Sequence, residues 1–163
     1  LKKNLSAILL FVFCFFPSVY AQQEQKTTAA VMDLEAKEGV PKGTAAALSD
    51  YLRTQLFNTR KFTIVTREDM DQVFKEQELS GLSEDTSKAC VVVAGQILAV
   101  RKMFSGTIGK KDNTYIITLK IIDVQTGRVD NTLEERCIKC EEDTVLESIK
   151  NIAYKIAGLK VPK

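Results

Sequence analysis

The chain has 163 residues, with 23 basic and 21 acidic side chains, a formal net charge of +2 and no histidine. Interspersed charge of both signs argues against the concentrated basic face of a nucleic-acid binder. The absence of imidazole removes the commonest general base, the usual pH switch and the main zinc ligand.

The first 21 residues have the layout of an export signal. Lys2 and Lys3 precede the apolar run 8–16, Pro17 breaks it, and Val19-Tyr20-Ala21 supplies small residues at −3 and −1. Cleavage is expected between Ala21 and Gln22. A retained anchor is the competing reading, although the run falls short of the ~20 residues that span a bilayer. Cleavage removes two lysines and no acid, which leaves a neutral domain. Export also places the later cysteines in an oxidising compartment. Residues 22–26 are polar and read as a flexible leader; residues 27–160 have the length of one domain.

Residues 27–34 contain Ala29-Ala30-Val31-Met32 and predict a strand buried on both faces. A charged loop over 35–43 follows, then a helix over 44–58. Its inner stripe is Ala45, Leu48, Leu52 and Leu56, with Asp50, Arg53 and Gln55 facing out. Phe62, Ile64 and Val65 form a short strand. Thr66 caps the next helix, with Asp69 three residues on and Met70, Val73 and Phe74 inside. After a loop around Gly81, Thr86 or Ser87 caps a third helix. Cys90, Val93, Ala94, Ile97 and Leu98 recur there at helical spacing, so this helix is expected to be apolar almost all round.

The pattern then changes to three strands, over 102–109, 114–124 and 128–136. Gly127 stands where the second turn needs positive φ. A last helix covers 142–157, with Gly158 as its C′ residue. The order β-α-β-α-α-β-β-β-α predicts an α/β (α+β) domain. Helices pack on a mixed sheet that ends in a three-stranded antiparallel meander.

These segments resemble the CsgG/HfaB family. The similar stretches are Ala30-Val31-Met32-Asp33-Leu34-Glu35, residues 48–56, residues 62–67 with Met70, Ala89-Cys90 with Gly95, residues 102–109, and Ile121-Ile122-Asp123-Val124-Gln125-Thr126-Gly127. They run in family order over about 28–158. The resemblance implies a periplasmic α/β domain that binds and assembles, with no cofactor and no catalytic residue. It extends loosely to the TolB N-terminal domain and to lipoprotein activators of peptidoglycan synthases. The family's secretion channel carries a lipidated cysteine directly after its signal; here the signal holds only Cys14, inside the apolar run. No extra pair of alternating segments supplies membrane hairpins, so no pore is expected from this chain alone.

Cys137-Ile138-Lys139-Cys140 has Cys-x-x-Cys spacing, but it follows a strand. A reactive pair normally sits at a helix N-terminus, where the dipole lowers the thiol pKa. A structural disulfide is the plainer reading, and zinc binding is weaker with three cysteines and no histidine. In some relatives another cysteine precedes the one matching Cys90; here Leu82 follows Gly81 instead. That likeness admits a Cys90 bridge to Cys137 or Cys140, and a local Cys137–Cys140 bridge competes with it.

Asp33 and Glu35 can pair as acid and base at a strand end. No nucleophile, histidine or phosphate loop accompanies them, so surface charge is the plainer reading. Gly106 and Gly109 suit packing and turns better than a phosphate cradle. Glu134-Glu135 and Glu141-Glu142-Asp143 form an acidic surface around the cysteine pair.

The expectation is a non-enzymatic periplasmic protein that contacts envelope or outer-membrane proteins, or copies of itself, in assembly or secretion. The contacts would use the meander edge and the 109–113 and 125–127 hairpins. No nucleic acid and no membrane span after cleavage are expected. The alternatives are a regulator of a peptidoglycan synthase and a thiol–disulfide oxidoreductase using Cys137 and Cys140.

Overall fold

The computed structural model describes residues 26–77 and 87–162. The signal, its Ala21–Gln22 junction, most of the leader, Gly81 and Thr86 lie outside them. The elements run β1 (Thr27–Val31), β2 (Glu35–Ala36), α1 (Lys42–Asn58), β3 (Phe62–Ile64), α2 (Arg67–Glu76) and α3 (Lys88–Ile97). Then come β4 (Lys102–Lys111), β5 (Thr114–Asp123), β6 (Arg128–Ile138) and α4 (Glu142–Ile156). One mixed sheet has the order β3-β1-β4-β5-β6, with the short β2 added to β4. β1 is parallel to β3 and β4, and the β4–β5–β6 meander is antiparallel.

Strand β1 explains the layering. The apolar run Ala29-Ala30-Val31 at its end, continued by Met32, leaves no polar face there, so helices must cover both sides. Ala29 and Val31 enter one core with the inner stripes of α1 and α4. Ala30 and Met32 enter a second core with Met70 and Phe74 of α2 and Val91 and Ala94 of α3. Over the meander the layering is simpler. Tyr115, Ile117, Leu119 and Ile121 of β5 alternate into the first core, while Lys120 between them is exposed. Gly106 lies where β4 and β5 approach closely: a Cβ there would meet the Thr118 carbonyl oxygen at 2.2 Å. The packing role expected of this glycine therefore has a direct steric cause.

Several local expectations change. The loop expected over 35–43 contains β2, in parallel register with Thr107 and Ile108 of β4. Arg53 and Gln55, expected on the outer face of α1, are buried at 7% and 8% exposure. The buried side of α3 is Val91, Ala94 and Gly95, whereas Val93 is exposed and Cys90 half-buried. In an apolar helix the period does not choose a face. Gly95 chooses it here, because a Cβ there would collide with Met103 and Val124 side chains. Ser87 caps α3 by accepting the Cys90 N–H, as Thr66 caps α2 by accepting that of Asp69. Gly127 and Gly158 have positive φ, +63° and +72°.

Asp123 fixes the β5–β6 turn. Its carboxylate accepts Thr126 N–H at 2.8 Å, Arg101 Nε at 2.8 Å and Lys102 Nζ at 2.7 Å. Gly127 N–H donates to its carbonyl at 2.8 Å. The hydrogen bond from Lys102, then that from the Thr126 backbone, hold the Asp123 carboxyl far below the usual carboxylate range against the opposing effect of burial. Burial works against the Lys102 charge too, yet its hydrogen bonds to Asp123 and Asp130 outweigh this and raise its pKa.

A depressed carboxyl pKa stabilises the fold fully above the unfolded value, about 3.9, and that contribution fades as pH falls below it. Asp123→Asn is therefore expected to lower the urea midpoint at pH 7. The gap to wild type should narrow steadily below pH 4. A constant gap from pH 7 to pH 2 would contradict this.

Candidate functional site

The chain leaves β1 for α1 on one face of the sheet and leaves β3 for α2 on the other. Between such strands their carboxyl ends splay into a crevice, the usual ligand position in α/β sheets. A cavity of about 590 Å³ lies there, lined by residues that include Asp33, Lys42, Arg53, Arg67 and Met70.

Arg53 organises its floor. From the middle of α1 it donates to the Val31 carbonyl through Nε at 3.2 Å and Nη2 at 2.8 Å. It also reaches Asp33 at 2.6 Å and Asp50 at 2.5 Å. Arg67, in the first turn of α2, holds the other Asp33 oxygen at 2.9 Å. Ser49 accepts the Leu34 N–H at 2.8 Å beside them. The backbone leaving β1 is thus clamped by both flanking helices. Asp33 is held by both arginines, while Glu35, which lines the same cavity, pairs with Lys37. The two carboxylates thus have different cationic partners, which agrees with their plainer reading as charges rather than an acid–base pair. The clamp escaped the sequence reading because Arg53 looks like an outward helix residue. Its only signal was Asp33, one helical crossover away at the end of an apolar strand.

A second cavity, of about 410 Å³, is a groove between α1 and α4. Thr44, Ala47 and Leu48 form one wall, Val145 and Leu146 the other, with Tyr115 among the lining residues. Close by, Cys137 and Cys140 form a disulfide with Cα atoms 5.6 Å apart. Cys90 takes no part in it, which corrects the long-range bridge weighed above. α3 carries Cys90 on the face of the sheet opposite α4. Cys137 is buried at the end of β6, at 5% exposure, and Cys140 is half-buried just before α4. No metal-holding group of His, Cys, Asp and Glu exists among the described residues. None of their helices is long and apolar enough to cross a membrane.

β6 is the outer strand of the meander, eleven residues long, and pairs only with β5 among the described residues. Most of its side chains are exposed. Its acids are not an open acidic patch: Glu134 pairs with Arg136 and Glu135 with Lys155, each at 2.7 Å. The bordering hairpins expose Asp112, Asn113, Gln125 and Thr126.

Removing Arg53 would leave the Val31 carbonyl and Asp33 short of donors in a desolvated place. Arg53→Ala is expected to cost about 3 kcal/mol in urea unfolding. A loss no larger than that of an exposed arginine would refute the clamp.

No curated protein sequence matches the chain. The family model of the curli production assembly/transport component CsgG matches residues 19–114, more than half of it, and ends at the start of β5. Among solved structures, the LpoB C-terminal domain from Salmonella enterica is similar, with 16% identity and a TM-score of 0.58. That likeness covers 69% of this chain and 82% of that one. Lipoprotein GNA1162 from Neisseria meningitidis has 10% identity and a TM-score of 0.53, over 80% of this chain and 96% of that one. At such identities the structures show a common fold, which extends the likeness beyond the family-matched segment. The chain belongs to the CsgG family.

Proposed function

We propose that this chain is a periplasmic, non-catalytic member of its family that acts by strand-mediated contact with a protein of the cell envelope. The family supports a place in envelope assembly. The observation that carries the mode of action is the open β6 edge. An outer strand presents a row of backbone donors and acceptors that a partner strand can satisfy. At the β1 end of the crevice Asp33 is held by Arg53 and Arg67, which favours a structural role for these charges. The oxidoreductase reading is weakened by the burial of Cys137 on a strand, because a reactive thiol needs access. A peptidoglycan synthase is one candidate partner, and secretion or fibre-assembly proteins are another.

Successive amides of a strand point to opposite edges. Of Glu134→Pro and Glu135→Pro, one removes an outward N–H and the other an N–H that faces β5. Proline is tolerated on the open side of an edge strand. The outward variant is expected to keep the wild-type circular dichroism spectrum and to lose crosslinking to the partner captured by the wild type from envelope extracts. Undiminished crosslinking by that variant, or recovery of only the chain itself by the wild type, would defeat the proposal. Identification of the captured band by mass spectrometry separates a wall synthase from a secretion component.

A further inference from the structure

We infer that the Cys137–Cys140 disulfide is a reducible clip that holds the first turn of α4 against the end of β6, and that its oxidation state sets the shape of the apolar groove between α1 and α4. The inference is independent of the strand contact proposed above.

The N-cap residue of α4, Glu141, makes no side-chain cap hydrogen bond. An uncapped helix start has orphan N–H groups and frays readily. The residue before this one is Cys140, covalently fastened to the end of β6. The Cys137 sulfur also lies 3.6 Å from the Thr144 carbonyl oxygen, in the first turn of α4. Cys140 N–H donates to the Asn113 carbonyl at 3.2 Å, which ties the same point to the β4–β5 turn. Three elements therefore meet at one covalent bond.

The ring also holds an unfavourable conformation. Lys139 has φ +56°, in the left-handed region that a lysine rarely adopts. Opening the ring frees this residue to relax and lets the α4 start move with it. The groove is next in line. Val145 and Leu146, just inside α4, form one wall. Tyr115, in the lining, is the register partner of Cys137. A shift of either disulfide anchor thus displaces residues that line the groove.

The effect is local because the bridge spans a sequence separation of only 3. So short a closed loop removes little entropy from the unfolded chain, and global stability depends on it weakly. The reductant is a dithiol. Its thiolate attacks the sulfur of Cys140, the more exposed of the two. The S–S bond breaks, and Cys137 leaves as a thiolate that takes up a proton. The second thiol of the reductant then displaces Cys140 from the mixed disulfide. The protein has gained two electrons and two protons, and the reductant departs as a disulfide.

The test is amide exchange read by mass spectrometry on the full chain, oxidised and after dithiothreitol, with alkylation confirming complete reduction. Reduction is expected to speed exchange across residues 138–146 by about tenfold or more. It should leave 102–108 unchanged and move the thermal midpoint by only a few degrees. Reoxidation restores the protection, and Cys137→Ser with Cys140→Ser reproduces the reduced pattern. Equal protection of 138–146 in both states would overturn the inference. So would loss of protection throughout the sheet on reduction, because the bond would then staple the whole fold.

Discussion

Everything in this fold follows from the requirement that β1 be covered twice. Ala29, Ala30, Val31 and Met32 are fully buried, two on each face of the sheet. A strand without a polar face can sit only inside a sandwich of helices. The first crossover therefore goes to one side and the second to the other. That division creates the crevice at the carboxyl end of β1, and it forces the chain to solve an electrostatic problem there. The Val31 carbonyl and the Asp33 carboxylate emerge between two helix layers, and Arg53 and Arg67 meet them. A position that many α/β proteins use for ligands is here lined by the protein's own ion pairs.

The meander half obeys a different rule. α4 covers one of its faces, the other is covered at its base, where Met103, Ile122 and Val124 join α2 and α3, and β6 is its outer strand among the described residues. The parallel half carries the clamp, and the antiparallel half exposes β6 and its hairpins. The turn between β5 and β6 is held by the buried Asp123 rather than left loose, so the start of the exposed strand is fixed against β5. A preorganised edge loses less entropy when a partner docks on it.

Much of this was legible in the residues. Strand β1, the capped start of α2, the Gly127 turn, the meander and the C′ Gly158 all rest on local chemistry: apolar runs, hydroxyl caps and glycines at positive φ. The misread features depend on tertiary neighbours. Arg53 is inward because a carbonyl and a carboxylate from β1 wait for it, and no helical period reports that. The side of α3 that is buried is set by the room Gly95 gives to Met103 and Val124. The cysteine pairing was open because spacing alone does not tell which strand end lies beside which helix start. β2 is two residues long, too short to show alternation.

Strand-mediated contact requires β6 to be an open edge in the isolated chain, since a closed edge has nothing to offer a partner strand. Residue-resolved amide exchange of the free protein tests this most directly. Within β6, from Asn131 to Ile138 beyond the register shift, the amides facing β5 should be protected, and those alternating with them should exchange as fast as exposed backbone. Equal protection of both sets, at the level of β5, would show that the edge is already paired and would contradict the account.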